Sequence, residues 1–183
     1  MRNTAIAVAV ALVGIMLYIL WAFRKMPKPF RYSIAAIIAL AHDVILAAGL
    51  FALAGAFLGW EVDLMFITGI LSIVGYSINN TVVVFDRIRE NQHRGVSYDF
   101  NQVVNHSMVE TMGRCLNSGI TTLVAIAALM FFVGGSIENF LVVLMIGIIV
   151  GIFTSIFVSP TILAAWETGI TGNVKSIEAK AKA

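Results

Sequence analysis

The sequence predicts an all-α integral membrane protein that crosses the bilayer five times. Three observations predict it. First, 60% of the 183 residues are hydrophobic and only 12% are charged, and mean hydropathy is +0.94. Soluble domains carry about 25% charged residues, so this chain lacks the polar surface to cover a water-soluble particle. Second, five apolar runs occur, at residues 4–23, 33–58, 64–85, 116–133 and 140–166. Each is near the roughly 20 residues needed to span a core of about 30 Å. Third, the runs are continuous, whereas a transmembrane β-barrel shows alternating segments of about ten residues. Helices are what remains, because every backbone polar group in lipid must be bonded internally.

The first run follows Arg2 and ends at Arg24 and Lys25. It is longer than a signal-peptide core and lacks a small-residue cleavage site, so it is read as a retained helix. Pro27 and Pro29 follow, and Pro29 disfavours helix at Lys28, which separates helices one and two. Helices two and three meet in a short turn holding Gly59, Trp60, Glu61 and Asp63, where Trp60 suits the lipid–water interface. Residues 86–113 form the longest polar stretch. Within it, Phe100, Val103, Val104, Met108 and Met112 share one helical face, which predicts an amphipathic helix at 97–113 lying on the membrane or against the bundle. Asp86, Arg87, Arg89 and Glu90 read as a solvated helix end with ion pairs. Gly55 with Gly59, and Gly147 with Gly151, have the small-xxx-small spacing that lets membrane helices approach closely. The tail at 167–183 is polar and is expected to be disordered.

Net charge is +2, and its placement sets orientation. Arg24, Lys25, Lys28 and Arg31 flank one loop, Arg87, Arg89, Arg94 and Arg114 the next, and Lys175, Lys180 and Lys182 the tail. The other two loops carry Glu61, Asp63 and Glu138 and no positive residue. The positive-inside rule then puts the N-terminus outside and the C-terminus in the cytoplasm. Cys115 is alone, so neither an intrachain disulfide nor a cysteine metal cluster is possible. His42, His93 and His106 share no zinc-ligand spacing, and no phosphate-binding loop motif is present. No cofactor, no metal, no nucleic-acid partner and no enzymatic activity are expected.

Polar residues inside the apolar runs carry the functional expectation, since an ionisable side chain there costs about 2.5–3.5 kcal/mol on insertion scales. Asp43 lies in the second helix after His42, Asn79, Asn80 and Thr81 lie in the third, and Arg114 precedes the fourth. Asp43 is sixteen residues from Gly59, Asn80 sixteen from Leu64 and Arg114 nineteen from Val133. At 1.5 Å per residue these are depths of about 24, 24 and 28 Å. The shared level predicts a single site between helices, with Asn79 and Thr81 in support. For Asn79 and Thr81 the competing reading is ordinary hydrogen bonding between helices, worth about 0.6 kcal/mol each. For Arg114 it is snorkelling toward headgroups.

The seventeen-residue run from Gly75 to Asn91, with Gly75-Tyr76-Ser77-Ile78-Asn79-Asn80-Thr81 and then Phe85-Asp86-Arg87-Ile88-Arg89-Glu90-Asn91, closely resembles the signature of the SecF family of bacterial protein export. His42-Asp43-Val44 resembles a second family patch, and Arg114-Cys115-Leu116-Asn117-Ser118-Gly119-Ile120-Thr121-Thr122 a third. Phe132-Val133-Gly134-Gly135 and Pro160 also fit. The resemblance runs in order through nearly the whole chain.

The resemblance implies a five-helix bundle of RND-transporter type. It implies a subunit that pairs with SecD beside the SecYEG channel and uses the proton-motive force to support export of a translocating polypeptide. YajC and YidC are further candidate partners, and membrane lipid is the medium. Family members have six helices with a periplasmic domain between the first two, so these residues correspond to the C-terminal five-helix part in a bacterial inner membrane. One departure matters. The family has an acid after the first asparagine, where this chain has Asn80. That acid is implied to transfer protons beside the arginine matching Arg114, and an amide cannot titrate. Asn80 could be a substitution mimicking a protonated acid, natural with protons carried by SecD, or the mark of an uncoupled protein. Asp43 then becomes the remaining acid at that level and the candidate partner for Arg114. A proton-coupled small-molecule exporter of RND type is the rival reading.

Overall fold

The computed structural model describes residues 2–25, 28–59, 62–133 and 137–169. Among them are six α-helices: α1 (Arg2–Ala22), α2 (Pro29–Leu58), α3 (Leu64–Arg94), α4 (Phe100–Val133), α5 (Glu138–Phe153) and α6 (Ser159–Thr168). A π-turn at Thr154–Val158 joins α5 and α6 into one rod, so the architecture is the expected five-helix membrane bundle. Four rods, Pro29–Phe57, Leu64–Arg94, Phe100–Val133 and Glu138–Thr168, are long and apolar enough to cross a bilayer. The 21 residues of α1 reach about 31 Å, also a membrane thickness. Val10, Leu17, Ile45, Leu53, Phe57, Phe131 and Ile149 stand exposed on the bundle, a surface that only lipid or protein can cover. Trp60, Glu61, Gly134, Gly135 and the tail beyond Gly169 lie outside the described residues.

Two expected boundaries are corrected. The span expected at 64–85 is longer: α3 runs on through the solvated helix end at 86–90 to Arg94, where Gly95 closes it at φ 68 in the left-handed conformation that glycine supplies. The segment 97–113 is not a separate amphipathic helix ending before a span at 116; one helix of 34 residues runs from Phe100 to Val133. Hydropathy marks where lipid ends, but helix hydrogen bonding continues through polar residues with good helix propensity such as Arg, Glu, Gln and Met. The extensions of α3 and α4 form an antiparallel hairpin past the apolar runs. Its apolar face packs inward. Val103 and Val104 are buried, and Phe100, Met108 and Met112 rest on the main core.

The last rod was expected at 140–166 and spans 138–168 with an irregularity. Ser159 N–H donates to the Thr154 carbonyl, five residues back. Pro160 has no N–H, and its ring crowds the carbonyl four residues earlier, so the widened turn gives that ring room. Gly147 and Gly151 are the small-residue pair that matters. A Cβ on Gly147 would meet Ile73 of α3 at 2.0 Å, and one on Gly151 would face Ser77 of α3 at 3.6 Å. Gly147 is therefore the glycine that lets α5 close on α3, while Gly151 has room for a Cβ. Gly59 serves differently, capping α2 at φ 72 with its N–H on the Gly55 carbonyl. At the basic end, Phe23, Tyr32 and Phe85 stack with ring centroids 5.4–6.3 Å apart and lock α1, α2 and α3 together.

Candidate functional site

Where α2, α3 and α5 meet lies Asp43, with no accessible surface. Apolar residues dominate the α3 face it meets, but Ser77 breaks the pattern and its hydroxyl donates to Asp43 Oδ2. Gly151 lies beside this contact, and a Cβ there would stand 3.8 Å from both Asp43 Oδ2 and Ser77 Oγ, an ordinary van der Waals distance. Ser155 Oγ donates to the Ser77 carbonyl at 3.4 Å and lies 3.3 Å from Thr81 Oγ1. Thr154, the residue before it, places Oγ1 at 3.1 Å from His42 Nδ1. That same nitrogen stands 3.6 Å from Asp43 Oδ1, which has no hydrogen-bond partner among the described residues. Thr154 and Ser155, adjacent where the π-turn begins, meet two neighbours at once: one faces α2, the other α3. Hydroxyls can donate to a carboxylate or accept from a carboxylic acid. The site can thus hold Asp43 in either protonation state.

Of the residues expected to converge, the structure brings Asp43, Asn80 and Thr81 into the interior and leaves Asn79 and Arg114 out. Asn80 is 3% exposed, with Nδ2 unpartnered among the described residues. Thr81 is 2% exposed and belongs to the hydroxyl cluster. Asn79 is exposed and lines a groove with Ala11, Gly14 and Tyr18 of α1. The expected pairing of Asp43 with Arg114 is not formed. Arg114 is exposed in a polar groove with Ala22, Val82, Val83 and Asp86. The physical reason is helical phase. The inward stripe of α4 is Ser107, Thr111, Cys115 and Gly119, at a spacing of four. Arg114 sits one residue from that stripe, about 100° around the helix, beside exposed Asn117 and Thr121.

Below the apolar layer the charged residues do form ion pairs. Arg87 makes a fork onto Glu110, Nε–Oε2 at 2.7 Å and Nη2–Oε1 at 2.8 Å, and reaches Glu90 at 2.6 Å. Asn91 Nδ2 donates to Ser107 Oγ at 3.0 Å and to Glu110 at 2.6 Å. Hydrogen bonds from Arg87 and Asn91 hold the Glu110 carboxyl well below the usual carboxylate range, at about 2. Arg89 pairs with Asp86 at 3.3 Å. On the other side, Lys28 and Arg31 at the start of α2 hold Glu167 at the end of α6, at 2.5 and 3.0 Å.

Sequence reasoning missed Ser77, Thr154, Ser155 and the part played by His42. The signal was present. Ser77 and Thr81 are four apart on one face, and Thr154 and Ser155 interrupt an otherwise apolar rod three residues after Gly151.

Residues 1–169 match the family described as protein export membrane protein SecD/SecF, C-terminal. The chain is 46% identical to the protein translocase subunit SecF of Thermobaculum terrenum, over 91% of this chain and 53% of that protein. It is 39% identical to the protein translocase subunit SecDF of Thermus thermophilus, over 91% of this chain and 21% of that one. A crystal structure of Thermus SecDF, a translocon-associated membrane protein, superposes with a TM-score of 0.79 at 38% identity, covering 91% of this chain and 22% of that one. The chain spans about half the length of the SecF relatives it matches. It belongs to the SecD/SecF family of protein export membrane proteins and corresponds to the C-terminal region of SecF.

Proposed function

We propose that this chain is the membrane-embedded part of a Sec translocase subunit that, with SecD, supports proton-motive-force-driven export of polypeptides through SecYEG. The observation that carries the reading is the buried Asp43 carboxyl, held by Ser77 at the seam of α2, α3 and α5. A lone intramembrane acid with hydroxyl neighbours is the hardware of a protonation switch. Gaining or losing its proton changes the bonding across that seam and biases the packing of α5 on α3. Asn80, buried but unable to titrate, marks the relay position of the family and leaves Asp43 to carry the charge change.

Arg114 takes a different part. With Asn117 and Thr121 it forms a polar stripe on the least buried of the four long spans, and Asn79 is exposed on α3. Polar groups at that depth are costly against lipid. This face is where SecD packs, and Arg114 acts across that boundary. By the positive-inside rule, the basic loops favour a cytoplasmic α3–α4 hairpin and α6 end, with the start of α1 outside a bacterial inner membrane. YajC and YidC are further candidate neighbours there, and no nucleic acid, cofactor or metal is called for. The relatives are translocase subunits, which favours a polypeptide over a small molecule as cargo.

The test is proton-motive-force-dependent export by the assembled translocase carrying Asp43→Asn or Arg114→Ala. Both are expected to lose the stimulated component of export. Unchanged stimulation in both variants overturns the reading.

A further inference from the structure

His42 is the one neighbour of Asp43 with a foot outside the core. Its side chain is 35% exposed while that of Asp43 is 0% exposed. It stands at the fourteenth residue of the 30-residue α2, about 20 Å from the basic end. That is deep in the apolar layer, where an exposed imidazole facing acyl chains is costly. Its open edge must therefore meet water or another polar group along the seam of α2 and α5. Its other edge is aimed inward: Nδ1 is 3.1 Å from Thr154 Oγ1 and 3.6 Å from Asp43 Oδ1. That oxygen is the unpartnered one. Around the carboxyl stand Ser77 from α3, Gly151 and Thr154 from the α5 rod, and His42 from its own helix. Among the described residues no second acid and no arginine or lysine acts on it.

We infer that His42 is the shuttle through which Asp43 exchanges its proton, by a route along the α2–α5 seam that is separate from the Asn79–Arg114 face. The step is balanced on atoms already in place. A hydronium ion gives its proton to Nε2 and leaves as water; as the ring closes the 3.6 Å gap to Oδ1 to hydrogen-bond length, the Nδ1–H bond breaks and an Oδ1–H bond forms. The imidazole is left neutral with its proton on Nε2, and the carboxylate becomes a neutral acid. The reverse stroke releases the proton along the same atoms. Imidazole suits the task because one ring nitrogen can take a proton on the open edge while the other gives one on the inner edge. Thr154 Oγ1, 3.1 Å from Nδ1, accepts from that N–H and so fixes the tautomer that carries its proton on the inner edge, beside Oδ1. The inference rests on the reading of Asp43 as a titrating group.

The experiment uses the full-length protein assembled with its membrane partners in lipid bilayers. Infrared spectroscopy follows the carboxylic acid C=O band of Asp43, identified by its loss in Asp43→Asn, after a step in pH. In His42→Gln the band is expected to relax about a hundredfold more slowly, the low end of what a positioned acid–base group contributes. Added imidazole is expected to restore the rate. Should His42→Gln fail to assemble, Thr154→Val keeps the ring but removes the hydroxyl that orients it, and is expected to slow relaxation while Thr154→Ser does not. Relaxation at the unaltered rate in His42→Gln, or in Thr154→Val, overturns the shuttle and leaves Asp43 as the switch. A band that never responds to pH in the unsubstituted protein overturns both.

Discussion

Replacing Gly147 with alanine tests the seam on which the site is built. The added methyl would sit 2.0 Å from Ile73 Cδ1, 2.2 Å from Cγ1 and 2.8 Å from Cγ2. Three atoms of one buried β-branched residue are struck at once. Ile73 has no accessible surface and a stiff χ1, so it cannot swing aside, and α5 must move off α3. Overpacking of this kind costs about 1–3 kcal/mol, one to two orders of magnitude in the folded-to-unfolded ratio. Two other glycines supply the contrast. At Gly119 the clash is with the tip of Ile152, Cδ1 at 2.1 Å and Cγ1 at 2.8 Å, a side chain that can rotate partly away. At Gly151 the nearest atom is 3.6 Å off, an ordinary contact. The order of destabilisation is therefore Gly147→Ala, then Gly119→Ala, then Gly151→Ala near zero. Reversible unfolding in bicelles measures it, and Ile73→Ala added to Gly147→Ala should recover part of the loss by non-additivity. If Gly147→Ala is as stable as Gly151→Ala, the close approach of α5 to α3 is wrong.

Three further outcomes follow from the same contacts. Ser77→Ala removes the donor to a buried carboxyl and is expected to cost about 1–3 kcal/mol. Ser72→Ala, which loses only a bond back to the Thr68 carbonyl, should fall within about 0.5 kcal/mol in the same unfolding assay. Glu110 titrates at about 2 in the folded hairpin against an ordinary 4.5. A depressed folded pKa contributes stability that is complete above the unfolded value and is lost as pH falls through the folded one. Amide exchange protection in the hairpin should therefore decline between pH 4.5 and about 2, and Glu110→Gln should abolish that pH dependence. Asn80→Asp introduces a titratable group at the proposed relay position and is expected to raise proton flux through the assembled complex. Flux identical to that of the unsubstituted chain would argue that position 80 is no relay.

Hydropathy made the five rods legible, because a helix that meets lipid must be apolar along its length. It could not show that the amphipathic segment at 97–113 is continuous with the span after 116, or how far α3 runs past residue 85, since polar helix in water leaves no hydropathy mark. Periodicity could have done more. The buried positions of α3, including Ile73, Val74, Ser77, Ile78, Asn80, Thr81, Val84 and Phe85, trace one 3.6-residue stripe that excludes Asn79. Depth along the axis was estimated for Asp43, Asn80 and Arg114, and depth alone suggested one site. A helix has a second coordinate, its phase, and one residue of phase separates buried Cys115 from exposed Arg114. The π-turn was hidden for another reason. A shift from bonding four residues back to five has no side-chain signature beyond Pro160.

Proton uptake into proteoliposomes bearing the assembled translocase subunit and its partners, driven by an imposed gradient, tests the role of Asp43 most directly. With Asn80 unable to titrate, uptake should fall to the protein-free background in Asp43→Asn. It should persist in Asp43→Glu, which keeps a carboxyl at the α2–α3–α5 seam. Undiminished uptake in Asp43→Asn would contradict the account and move the charge-carrying step off this chain.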